Sequence, residues 1–161
     1  MLSNKYYILF STSLSFTLLL LFSACHPKSD VCENAQELVQ EAKSQIVEIS
    51  AEQYLQEYHG SEKDYLLLDV RQGKEYDEEN IEGSICLPRG VLEFKINNAT
   101  FWEDQMMYAP NDTSEIIIYC KKGSRGALAT VALNELGYKN VKNLSGGFSA
   151  YQEKQQKAED N

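Results

Sequence analysis

The chain predicts an α/β fold: an open, mostly parallel sheet with helices on both faces. Short apolar runs with strand character, Tyr65 to Val70, Ser84 to Leu87, Glu115 to Tyr119 and Val141 to Leu144, are set apart by segments with helical spacing. The 161 residues, less a leading apolar segment, leave room for one domain of ordinary size. Strands alternating with helices at this spacing bury both faces of a single sheet.

The first elements are an address rather than fold. Lys5 precedes an apolar run from Ile8 to Ala24, which ends in Leu20-Leu21-Phe22-Ser23-Ala24-Cys25-His26-Pro27. Small residues before a cysteine, with a turn-former after it, resemble a bacterial lipoprotein signal, although Phe22 stands where leucine is usual. That resemblance implies cleavage before Cys25, acylation of Cys25 and a mature chain that hangs outside the cytoplasmic membrane on lipid, on the periplasmic or cell-surface side. An uncleaved signal anchor and ordinary secretion are the alternatives; all three place the domain outside the cytoplasm. The expected organisation is a signal peptide over 1–24, a lipid-anchored linker with an accessory helix over 25–48, the domain over 49–155 and a polar tail over 156–161.

His26 to Asp30 reads as linker. Ser29 or Asp30 can cap a helix from about Val31 to Ile46, with one narrow apolar stripe. Ser50-Ala51-Glu52-Gln53 fits a capping box opening a short helix that stops at Gly60. A short helix is expected near Gly73 to Glu78. Another, from about Arg125 to Leu136, has Leu128, Val131, Ala132 and Leu136 at helical spacing and Gly137 as a left-handed stop. Gly146-Gly147 precedes a final helix, and Gln152 to Asn161 reads as tail. The segment from Gly90 to Asp112 holds Phe94, Phe101, Trp102, Met106, Met107 and Tyr108; it is expected to cover one sheet face, with a role in walling the mouth of a site as the sharper alternative.

The formal charge of −9 argues against binding of nucleic acid or an anionic membrane surface through the bulk of the domain, since both need a basic face. Cys25, Cys32, Cys86 and Cys120 include no close-spaced pair, so neither a zinc knuckle nor a dense disulfide framework is indicated. No metal and no cofactor is expected. Cys86 reads as inert core, and Cys32 has no assigned role beyond the alternative of a resolving or disulfide partner.

Cys120 is different. It ends an apolar strand, where ligands sit in open parallel sheets, and it precedes Lys121, Lys122, Gly123, Ser124, Arg125 and Gly126. A thiol attacks as its thiolate, and two lysines, an arginine and the amides of a following helix are the surroundings that stabilise one. Gly123 permits a curl that turns backbone N–H groups inward, making an anion cradle over a nucleophile. Burial as a core cysteine is the bland alternative, but three cations within residues 121–125 of an acidic protein favour the site. His26 lies at the anchor and His59 reads as an exposed polar residue, so a Cys-His protease pair is not expected.

Three ordered segments together resemble a single-domain rhodanese, a sulfurtransferase. Leu67-Leu68-Asp69-Val70-Arg71, then Glu75-Tyr76, then Asn80-Ile81-Glu82-Gly83-Ser84-Ile85 is similar to the family's D-V-R, E-Y and H-I-x-G-A entrance. Cys120 to Arg125 is similar to its active loop, and the segment Asn143 to Tyr151 to its closing L-x-G-G-x-x-A-W. Asn80, Ser84 and Tyr151 depart from the usual histidine, alanine and tryptophan. The resemblance, which runs from about Ile49 to Gln155, implies that Cys120 takes a sulfane sulfur from a small anionic donor such as thiosulfate. As a persulfide it passes that sulfur to cyanide, a thiol or a protein partner. It also implies that Lys121, Lys122, Gly123, Ser124, Arg125 and Gly126 bind the anion. Asp69 and Arg71 are expected to support the loop as an ion pair. A binding module or sulfur carrier is the alternative. A phosphatase or arsenate reductase is disfavoured, because that loop has five residues between cysteine and arginine and only Lys121 to Ser124 intervene here.

Overall fold

The structure, a computed structural model, describes residues 31–159, so the expected signal segment and Cys25 lie outside the described residues. Residues 33–159 lie in one compact unit. Five parallel strands, β1 (Val47–Ile49), β2 (Leu66–Asp69), β3 (Ile85–Cys86), β4 (Glu115–Tyr119) and β5 (Asn140–Leu144), lie in the order β1-β5-β4-β2-β3. Seven helices accompany them among the described residues: α1 (Ala35–Ser44), α2 (Ala51–Glu57), α3 (Gly73–Glu78), α4 (Leu92–Lys95), α5 (Ala99–Asp104), α6 (Ser124–Glu135) and α7 (Gly147–Glu159). The open, parallel α/β sheet is as expected.

Alternation along the central strands builds two cores. Leu66, Leu68, Val70, Ile116, Ile118 and Cys120 face one side with Ala129 and Leu133 of α6 and Leu92 of α4. Leu67, Ile117 and Tyr119 face the other with Tyr54 of α2 and Phe148 and Tyr151 of α7. A strand buried on both faces reads as an unbroken apolar run, which is why Leu66 to Leu68 and Ile116 to Ile118 were recognisable.

Two elements precede the Ser50 cap among the described residues. The segment expected as linker and accessory helix contributes α1, which packs on α6, and β1, which pairs with β5. The first helix starts at Ala35 because the Asn34 side chain accepts the Glu37 N–H at 3.0 Å, and it closes before Val47-Glu48-Ile49 joins the sheet edge. At the other end, α7 continues to Glu159 through the expected tail, with Lys157 paired to Glu153 at 2.6 Å.

The Ser50 capping box forms in both directions, Gln53 N–H to Ser50 Oγ at 3.1 Å and Ser50 N–H to Gln53 Oε1 at 2.9 Å. Trp102 is fully buried and donates to Ile96 O at 2.7 Å, so this part of the 90–112 segment is core. Met107 and Tyr108 instead border a cavity with Tyr65 and Glu115, at the amino ends of β2 and β4 and thus at the edge opposite Cys120. His59 is half-buried, with its ring 6.0 Å from Tyr54 and 5.8 Å from Tyr151, a correction to its reading as exposed: the two tyrosines cover it.

Candidate active site

β4 delivers Cys120 to the carboxyl edge of the sheet, where its side chain is 2% exposed. The chain then turns through Lys121 and Lys122 to Gly123, whose φ of +88° is the left-handed conformation that lets α6 begin at Ser124. The cysteine thus lies at the foot of a helix whose first amides carry no intrahelical partner.

The amino end of α7 holds this loop from outside. Phe148 N–H donates to Cys120 O at 2.8 Å, and Ser149 N–H donates to Lys121 O at 3.1 Å. In a planar trans peptide the N–H points away from the C=O of the same unit. Fixing these two oxygens on α7 therefore turns the Lys121 and Lys122 N–H groups away from α7, the arrangement an anion cradle needs. Gly147 allows the approach: a Cβ there would stand 2.2 Å from Cys120 O. Gly146, its neighbour, instead lies against Ala150, where a Cβ would stand 2.7 Å from the Ala150 Cβ.

The cations divide into two kinds. Lys121 and Lys122 are exposed, with Lys121 Nζ 5.5 Å from the Phe148 ring centre. Arg125 is clamped by Glu75 of α3 through two bonds, Nη1 to Oε2 at 2.7 Å and Nη2 to Oε1 at 2.8 Å. Hydrogen bonding to Arg125 lowers the Glu75 carboxyl to about 2, against the opposing effect of burial. The Arg125 guanidinium is correspondingly held above its ordinary value, first by Glu75 and further by its interaction with Cys120. Arg125 is thus a fixed, half-neutralised charge beside the thiol.

Asp69 and Arg71 form a buried ion pair, 0% and 2% exposed, with Arg71 Nη2 2.6 Å from Asp69 Oδ2. Arg71 also donates to Glu79 O at 2.6 Å and lies 4.4 Å from the centre of the Phe148 ring. The pair ties β2, the end of α3 and the start of α7 together beneath the loop. The motif departures have local partners: Asn80 donates to Tyr76 O at 3.1 Å, Ser84 Oγ lies 2.9 Å from the Tyr119 hydroxyl, and Tyr151 stacks 6.2 Å from Phe148.

The structure brings Cys120, Lys121, Lys122, Gly123, Ser124 and Arg125 into one turn, with α1 alongside. Ala35, Gln36, Val39 and Gln40 border a cavity of about 290 Å³ with Ser124. Gly126 lies buried within α6 and faces Asn143. Cys86 sits in register with Asp69, on the other face of the sheet from Cys120, and its thiol is pushed up by burial and then by Asp69 and Asp77. Cys32 is half-buried. Among the described residues no three His, Cys, Asp or Glu side chains gather to hold a metal, and no helix is long and apolar enough to cross a membrane. Sequence reasoning missed Glu75 as the clamp on Arg125, 50 residues away, and the α7 amides as the clamp on the loop; neither has a signal in local spacing.

Residues 50–154 match the model of the rhodanese-like domain. Thiosulfate sulfurtransferase PspE of Escherichia coli is 34% identical over 79 residues, covering 49% of this chain and 67% of that protein. The human single-domain sulfurtransferase TSTD1 superposes with a TM-score of 0.60 at 25% identity, covering 66% of this chain and 96% of that one. A Rhodopseudomonas palustris protein of unknown function, described as a possible tyrosine phosphatase, superposes with a TM-score of 0.65 at 26% identity over 78% of this chain and 93% of its own. The chain spans between about a fifth and two thirds of the length of the curated relatives it matches. With its parallel sheet, its loop after β4 and a family match over most of the compact unit, the chain belongs to the rhodanese-like domain family.

Proposed function

We propose that the chain is a sulfurtransferase that carries a sulfane sulfur on Cys120. The observation that carries this reading is the loop: a buried cysteine followed by peptide groups whose oxygens are held by α7, with two exposed lysines at the rim. The Cys120 thiolate attacks the outer sulfur of thiosulfate or a related anion. The S–S bond of the donor breaks, and sulfite departs with the bonding pair. The persulfide then gives its terminal sulfur to cyanide or a thiolate, and Cys120 leaves as thiolate; no external oxidant or reductant is needed. Lys121 and Lys122 attract the donor dianion, and the loop amides with Arg125 stabilise charge at sulfur.

The proposed setting is extracytoplasmic, with lipid on Cys25 as the anchor. The acceptor is a small thiol or a protein thiol. Four residues between Cys120 and Arg125 make a ring suited to one sulfur atom rather than a phosphate. The purified protein is exposed to thiosulfate and weighed intact, beside Cys120→Ser, with thiosulfate:cyanide turnover followed in parallel. One added sulfur and turnover, both lost in Cys120→Ser, are the expected result. Sulfur uptake without turnover points to the carrier reading. No uptake from thiosulfate or persulfide donors, with hydrolysis of an aryl phosphate instead, points to the phosphatase reading and rejects this one.

A further inference from the structure

One buried side chain beside the loop opens the closing motif segment but was given no role by it. Asn143 of β5 is 0% exposed, and its Nδ2 donates to Glu48 Oε1 at 2.7 Å and to Gly123 O at 3.2 Å. Its Oδ1 is the single buried side-chain polar atom without a hydrogen-bond partner among the described residues. That oxygen lies against Gly126, where a Cβ would come within 2.2 Å of it. An amide that leaves half its capacity unsatisfied in the core costs stability relative to an apolar side chain of the same volume. Packing alone therefore does not account for asparagine here; what its other half does is hold the loop.

We propose that Asn143 is a positioning residue for the chemistry at Cys120, aiming the Ser124 N–H into the sulfur-binding turn. Gly123 O accepts from Ala127 N–H at 2.9 Å as well as from Asn143, so this oxygen is fixed from two sides. By peptide planarity the Ser124 N–H points the opposite way, back into the loop that begins at Cys120. Phe148 N–H, Ser149 N–H and Asn143 Nδ2 then hold three loop oxygens, those of Cys120, Lys121 and Gly123. Glu48 fixes the amide in turn, and its own charge lies 3.4 Å from Lys43 Nζ of α1. The N-terminal elements α1 and β1 reach the active loop through this chain of contacts. The chemical consequence rests on the sulfurtransferase reading; the positioning itself does not.

The test follows alkylation of Cys120 by iodoacetamide as a function of pH, with peptide mapping to isolate that thiol, alongside melting temperature. Asn143→Leu keeps the branched outline and the number of side-chain heavy atoms while removing the donor, and Asn143→Ser loses the reach to Gly123 O. Each is expected to move the Cys120 profile to higher pH and to slow alkylation at neutral pH about fivefold, the worth of one ordinary hydrogen bond. A merely structural role would change melting and leave the profile in place. Should neither variant fold, Glu48→Ala removes the anchor at a partly exposed position and is expected to give a smaller displacement in the same direction. An unmoved profile in any folded variant overturns the proposal. The assay needs no sulfur donor, so failure of the parent protein to take up sulfur rejects the proposed function and leaves this inference to be decided separately.

Discussion

Gly147→Ala tests the clamp between α7 and the active loop. The added Cβ would stand 2.2 Å from Cys120 O and 2.8 Å from Gly123 N, both backbone atoms that cannot swing aside. Gly147 also has a φ of +59°, where a side chain costs about 1–2 kcal/mol. Overpacking adds about 1–3 kcal/mol, for a combined loss of about 2–5 kcal/mol. At roughly 4 °C per kcal/mol for a domain of this size, the melting temperature should fall by about 8–20 °C. Relief comes by moving α7 outward, which lengthens the bonds from Phe148 and Ser149 to the loop, so sulfur loading of Cys120 should slow as well. Gly73→Ala is the control: its Cβ meets nothing within 4 Å, and helical alanine there should leave melting unchanged or slightly raised. Thermal denaturation and timed intact-mass loading read both effects. A Gly147→Ala protein that melts with the parent and loads sulfur at the parent rate would refute the clamp.

Three further outcomes are expected. Asp69→Asn leaves the Arg71 guanidinium buried without its counter-charge and should cost about 3–5 kcal/mol by urea denaturation, whereas a joint apolar replacement of both residues should cost much less. Because Arg125 lowers the Glu75 carboxyl from 4.5 to about 2, its contribution to stability is present above pH 4.5 and is lost as pH falls from 4.5 toward 2. The stability gap between the parent and Glu75→Gln should therefore close over that window, and a gap independent of pH would contradict the pairing. Trp102→Ala should cost about 3–5 kcal/mol while leaving the ratio of turnover with cyanide and with thiols unchanged, since the indole is in the core; an altered ratio would return it to the mouth of the site.

Much of the fold was legible because the central strands are buried on both faces. Leu66 to Leu68 and Ile116 to Ile118 need no partner to be recognised, and Ser50 with Gln53 form their cap within four residues. Gly137, with a φ of +96°, stops the chain where α6 ends. The strand β1 was not legible: Val47-Glu48-Ile49 is three residues long, and it is extended because β5 offers it an edge in register with Lys142, Asn143 and Leu144. The short helices α4 and α5 were likewise hidden, their apolar residues being ordered by the core they cover.

The same division runs through the site. Sequence alone singled out the proposed nucleophile and its immediate charges, because Cys120, Lys121, Lys122, Gly123 and Arg125 are neighbours along the chain and the turn that unites them is local. Only the tertiary structure decided what those charges do. Glu75 makes Arg125 a fixed partner rather than an open cation, and Asp69 with Arg71 becomes a buried brace. Phe148, Ser149 and Asn143 set the direction of the loop peptides from elements that meet the loop through the parallel sheet. Hydrogen-bond direction depends on where distant backbone arrives in space, and spacing along one chain carries no record of that.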